Sequence, residues 1–138
     1  MGGLVTFPFF SVYHATKWAL EGWSESLAFE LKPFGVGVKT VSPGGIKTDF
    51  GSRSLALSSH SAYDKQIEKV MSLFTDPERA ETYSTAEQIA DVVYEAATDD
   101  KEKLRYLAGQ DAAAMYAQRL EVGDEAFRKG INQMFLGE

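Results

Sequence analysis

An α/β fold, with helices laid against the end of a parallel sheet, is what this chain of 138 residues predicts, and three observations predict it. Helix-like and strand-like segments alternate in the order α, β, α, α, β, α, α, the pattern of strands joined by right-handed helical crossovers. The run Val36-Gly37-Val38-Lys39-Thr40-Val41 is rich in β-branched residues and stops at Pro43-Gly44-Gly45, as a buried strand does. Only one further strand candidate, Arg105–Ala108, accompanies it, and so few strands beside so many helices read as the edge of a larger sheet.

The elements follow in order. Met1 to Phe9 hold a Gly pair and Pro8, which disfavour helix, so this stretch is an extended or looping lead-in. Ser11 is placed to cap a long helix in which Val12, Ala15, Ala19, Trp23, Leu27 and Leu31 recur at three- and four-residue spacing. Pro33 and Gly35 end it, and a tight turn leads into the Val36–Val41 strand. From Phe50 to His60 the Ser, Gly and Arg content predicts a mobile loop, and with Arg53 and Tyr63 this region is a candidate lid. A helix over Tyr63–Phe74 ends before Asp76-Pro77. Ser84 or Thr85, with Glu87 or Gln88 three residues on, opens another helix that presents Ile89, Val92, Val93 and Ala96 and runs to Thr98. The charged run Asp99–Lys103 reads as a solvated connection to the Arg105–Ala108 strand. Helices over Ala112–Glu121 and Asp124–Phe135, broken at Gly123, complete the chain.

Composition narrows the function. With 44% hydrophobic and 25% charged residues the chain is an ordinary globular sequence of one domain, residues 1–138. A net charge of −6 argues against a nucleic-acid partner, which requires concentrated Lys and Arg. No cysteine is present, so thiolate chemistry, disulfides and Cys-ligated metals are excluded. His14 and His60 lack the paired spacing of a metal site, and none is expected. No apolar run approaches the ~18 residues of a membrane span, and a cytoplasmic location is the expectation.

Chemistry concentrates in the first fifty residues. Tyr13 and Lys17 stand four apart on a helix, so they share a face with Cβ atoms about 5–6 Å apart. An ammonium beside a phenol is expected to lower the Tyr pKa from about 10 and make the phenol a general acid or base. Ser11, two residues before Tyr13, is a helix cap rather than a catalytic hydroxyl. Trp18, Trp23 and Phe29 are either core residues or a helix face that pairs with a second subunit.

Tyr13-His14-Ala15-Thr16-Lys17-Trp18-Ala19-Leu20-Glu21-Gly22, Leu31-Lys32-Pro33-Phe34-Gly35-Val36-Gly37-Val38 and Val41-Ser42-Pro43-Gly44 together resemble the short-chain dehydrogenase/reductase family. The flavour is that of its steroid and retinol dehydrogenase-like branch, and Tyr106-Leu107-Ala108-Gly109 is similar to the last strand of such enzymes. The resemblance implies a partial Rossmann-like fragment: a doubly wound parallel sheet with few strands and predominantly helical content, the carboxyl-terminal portion of the fold. It implies Tyr13 as catalytic acid/base and Lys17 as its pKa modulator and ribose ligand, both also touching the cofactor. Pro43, Gly44, Ile46 and Thr48 become nicotinamide-side contacts, the cofactor NADP or NAD, and the substrate a small alcohol or carbonyl compound. No Thr-Gly-x-x-x-Gly-x-Gly phosphate loop occurs in these residues, and the family's catalytic serine would fall just ahead of Met1. The expectation is therefore a hydride-transfer oxidoreductase that lacks its dinucleotide-binding half and is inactive alone, or a noncatalytic oligomeric module derived from one; in either case a homo-oligomer is expected.

Overall fold

The computed structural model describes residues 1–49 and 60–137. The expected mobile loop from Phe50, with Arg53, lies outside the described residues up to position 59.

Helix α1 spans Ser11–Leu31 and passes through a 3-10 turn at Lys32–Phe34. Ser11 is its first residue rather than its cap: Phe10 occupies the cap position, and no side chain bonds the free amides there. Gly35, at φ 70°, closes the turn in the left-handed region, where a side chain would be strained. Strand β1 (Thr40–Pro43) pairs in parallel with β2 (Arg105–Ala108), Thr40 opposite Arg105 and Pro43 opposite Ala108. The strand begins at Thr40, not Val36, and Val36 is exposed. A ladder needs a partner at every rung, and β2 supplies one only from Leu104 onward, where the Leu104 carbonyl accepts from the Thr40 N–H at 2.7 Å.

Between the strands run α2 (Asp64–Phe74), α3 (Pro77–Glu81) and α4 (Ala86–Thr98). Thr85 caps α4 with the reciprocal box: its hydroxyl accepts from the Gln88 N–H while the Gln88 side chain accepts from the Thr85 N–H. The short α3 is not anticipated by periodicity, yet its start is written in Asp76-Pro77-Glu78, a capping carboxylate followed by a proline at the first helical position. After β2, α5 (Gln110–Val122) and α6 (Asp124–Phe135) meet at Gly123, as the sequence predicts.

The core gathers Val5, Val70, Phe127, Ile131 and Phe135, with Phe7, Phe10 and Phe74 packed against them. It thus joins the amino-terminal lead-in to α2 and α6. Helix α1 contributes little apolar surface to it. Its stripe faces outward, Val12 being 78% and Trp23 62% exposed, and its buried residues are His14, Glu21 and Ser24. Trp18 packs beneath the Arg119 guanidinium, 5.0 Å from its ring, whereas Trp23 and Phe29 stand open.

His14 explains how a polar face is buried. Its Nε2 accepts from the Phe7 N–H at 2.9 Å, which puts the ring proton on Nδ1, and Nδ1 donates to the Gly2 carbonyl at 2.8 Å. Burial holds its pKa below the usual value of 6.5, because the charged ring would be desolvated. The unfolded chain then binds more protons than the folded one below pH 6.5, so this contribution to stability is present above that pH and is lost as pH falls. Urea midpoints should drop between pH 7.5 and 5.5, and His14→Gln should flatten that dependence; an unchanged slope in the variant would refute this account.

Asp99 departs from expectation too. It is no solvated surface residue: its carboxylate accepts from the Tyr106 O–H at 2.5 Å and from Lys39 Nζ at 3.3 Å, and its side chain is buried. The Tyr106 hydroxyl, then the Lys101 N–H and Lys39, hold its carboxyl well below the usual range. The pair ties the α4–β2 connection to the segment entering β1.

Candidate active site

Tyr13 sits in the first turn of α1 and is half-buried, 38% exposed. Gly2 lies so near that a Cβ there would stand 2.8 Å from the Tyr13 ring, and a Cβ on Gly3 would stand 2.6 Å from the Lys17 carbonyl oxygen. The lead-in can therefore lie flat on α1 only as glycine. Lys17, one turn along, places its ammonium over the face of the Tyr13 ring, 5.6 Å from the centroid. This is a cation–π contact rather than a bond to the phenolic oxygen. The Tyr13 pKa is correspondingly not lowered: burial raises it above 10.

The second motif follows β1. The Met1 amino group donates to the Pro43 carbonyl at 2.7 Å, so residues 1 and 2 bridge the Pro43 turn to the Tyr13 end of α1. Gly44 extends the ladder by donating to the Ala108 carbonyl. Ile46 forms a parallel bridge with Ser84: the Ser84 N–H donates to Gly45 O at 3.0 Å and the Lys47 N–H to Ser84 O at 2.9 Å. The Thr48 N–H turns back to the Ile46 carbonyl at 2.8 Å, and Thr48 itself is exposed. Tyr13, Lys17, Pro43, Gly44, Ile46 and Thr48 thus stand on two neighbouring segments, a helix start and a strand end.

Two carboxylates that the sequence reading left aside anchor these segments. Glu21, 9% exposed, accepts from Ser42 Oγ at 2.9 Å and from Arg105 Nε at 3.0 Å, while Arg105 also reaches Glu25. It continues the Tyr13–Lys17 face by one more turn and ties α1 to both strands. Asp111, in the first turn of α5, accepts from the Gly45 N–H at 2.7 Å through Oδ2. Its Oδ1 is buried without a hydrogen-bond partner. Such an acceptor costs about 1–3 kcal/mol, so its retention calls for a reason. A Cβ on Gly44 would overlap the Asp111 carboxylate, and one on Gly45 would overlap the Tyr83 ring. The available signal for Asp111 was an acidic residue opening a helix directly after the strand-ending Gly109.

An open apolar cleft of about 460 Å³ lies along the lead-in, lined by Phe7, Pro8, Phe9, His14 and Trp18 among others, and neither Tyr13 nor Lys17 lines it. Among the described residues no helix is long and apolar enough to cross a membrane.

The geometry has relatives. Residues 1–56 match the family model described as short chain dehydrogenase. An uncharacterized oxidoreductase of Schizosaccharomyces pombe is 36% identical over 128 residues, covering 92% of this chain and 53% of the relative. One of Bacillus subtilis is 37% identical over 116 residues, covering 80% and 41%. Among solved structures, a short-chain dehydrogenase from Streptomyces avermitilis superposes with a TM-score of 0.70 at 31% identity, over 88% of this chain and 44% of that one. The chain spans about half the length of the curated relatives it matches. In the pattern of its first 56 residues, in its sequence relatives and in its Rossmann-like α/β fold, the chain is similar to oxidoreductases of the short-chain dehydrogenase family.

Proposed function

We propose that this chain carries the proton-transfer half of an NAD(P)-dependent oxidoreductase that interconverts an alcohol and a carbonyl compound. The observation that supports it is the juxtaposition of the Tyr13–Lys17 helix start with the Pro43–Thr48 turn, bridged by Met1 and Gly2. The donor set suits the nicotinamide end of a dinucleotide: an ammonium for ribose hydroxyls at Lys17, and the Thr48 hydroxyl with the Ile46 amide for a carboxamide. When bound, that cofactor supplies or accepts the hydride. Tyr13 holds the proton for the substrate oxygen, and burial, which raises its pKa, favours the neutral phenol, the form that donates to a carbonyl. Lys17 holds positive charge against the ring as the phenol loses its proton. Pro43 and Gly44 set the course of the turn. The steroid and retinol dehydrogenase-like branch, and NADP within it, rest on resemblance alone.

Nothing in residues 1–138 offers the Gly-rich pyrophosphate cradle, so this reading makes the chain the carboxyl-terminal portion of a single Rossmann domain, inactive by itself. The test is complementation. The purified chain should bind NADH and NADPH weakly and turn over no alcohol or ketone, and adding the amino-terminal half of a relative as a separate polypeptide should restore turnover. Tight binding or full activity by the chain alone would refute the dependence, and inactivity of the complemented pair would refute the enzyme.

A second reading, a noncatalytic oligomeric module, is favoured by the outward apolar stripe of α1, with Val12, Trp23 and Phe29 open to solvent. It predicts a dimer or larger mass by light scattering at micromolar concentration; a strict monomer counts against it.

A further inference from the structure

We infer that Asp111 is the positioning residue of the candidate cofactor turn: its carboxylate sets the course of Gly44–Thr48 and so the place of the Ile46 and Thr48 groups. The inference rests on the functional reading for its meaning, and on four contacts for its substance. Asp111 Oδ2 takes the Gly45 N–H at 2.7 Å, a charge-assisted bond into the middle of the turn. Its Oδ1, buried and unpartnered, lies against Gly44, where a Cβ would overlap it. A Cβ on Gly109 would stand 2.7 Å from the same oxygen and 2.9 Å from Ser84 Oγ, so the carboxylate is wedged between the strand end and the bridge residue. Ser84 in turn pairs with Ile46 and accepts from Lys47.

These contacts divide the work. The ladder bond from Gly44 to Ala108 and the bridge at Ser84 hold the two ends of the segment, and between them Gly45 is the residue whose amide needs an acceptor. Asp111 is that acceptor, and it comes from the helix that follows β2 rather than from the turn itself. The turn is therefore indexed to α5: moving Asp111 moves Gly45, and Ile46 with it. An oxygen kept without a partner is accounted for if the carboxylate's place is dictated by Gly44 and Gly45 rather than by its own satisfaction.

The experiment uses the whole chain labelled with ¹⁵N, as wild type, Asp111→Ala, Asp111→Asn and Gly44→Ala. In Asp111→Ala the Gly45 amide resonance should move upfield and its hydrogen exchange should quicken by about tenfold or more, with shifts spreading to Ile46, Lys47, Thr48 and Ser84. Asp111→Asn keeps an oxygen acceptor and should return the Gly45 resonance toward wild type. Gly44→Ala pushes the carboxylate from the opposite side and should reproduce the Gly45 shift with Asp111 intact. If Asp111→Ala does not fold, the other two variants decide. A Gly45 amide unmoved in Asp111→Ala, or unmoved in Gly44→Ala, overturns the inference, as does a change confined to the amides of α5, the mark of a merely helix-stabilising acid. No cofactor enters these readouts. Failure of the complemented chain to bind NAD(P)H would sink the functional reading while the Gly45 amide still judges Asp111.

Discussion

Tyr13→Phe is expected to lower turnover of the complemented enzyme by about 10²–10⁴-fold, the usual worth of a positioned general acid or base, while leaving NAD(P)H affinity within about twofold of wild type. The substitution removes one oxygen and keeps the ring that packs on Gly2 and under the Lys17 ammonium, so the helix start should not move. Steady-state kinetics with a small ketone, together with a fluorescence titration of NADPH, separate the two effects. Loss of affinity equal to the loss of turnover would mean that Tyr13 binds rather than transfers a proton. Turnover within tenfold of wild type would take the phenol out of the chemistry.

Phe135→Ala is expected to destabilise the chain by about 3–5 kcal/mol, the largest effect on stability of any single truncation considered. Phe135 is wholly buried, its ring centroid 5.3 Å from that of Phe7 and 5.4 Å from that of Phe74, and the Arg79 guanidinium lies 5.8 Å away over its face. Its removal leaves a void where the lead-in, α2 and α6 meet, and the lead-in carries Gly2 and Gly3 onto the Tyr13 helix. Urea unfolding followed by circular dichroism measures it. A cost near 1 kcal/mol would show that the three segments collapse together around the gap, and the core would then be looser than its packing suggests.

Much of the fold was legible because it is local. The reciprocal cap at Thr85 and Gln88 and the break at Gly123 depend on residues within a few positions of one another, and each is found where its residues place it. The Tyr13–Lys17 pairing was legible for the same reason, since helical spacing alone sets it. The start of β1 was not, because a strand is defined by its neighbour and Val36–Lys39 find none among the described residues. The direction of the Tyr13 shift was missed as well: spacing tells that an ammonium is near, while only the surroundings tell that it meets the ring face and that burial prevails.

The face that α1 turns inward is the clearest case. Its apolar residues recur with helical period, yet His14, Glu21 and Ser24 are the ones buried: His14 bonds Gly2 and Phe7 of the folded-back lead-in, and Glu21 bonds Ser42 and Arg105 of the two strands. By itself the sequence determined the α/β class, most helix and turn boundaries and the one-turn spacing of Tyr13 and Lys17, all of which follow from spacing and from backbone preferences carried by single residues, whereas the roles of Tyr13, Lys17 and Pro43–Thr48 are implied by resemblance. Only the tertiary structure decided that Asp99, Glu21 and Asp111 are interior anchors rather than solvated charges. A carboxylate's role depends on which donors surround it, and those donors are brought to it by contacts that no local pattern encodes.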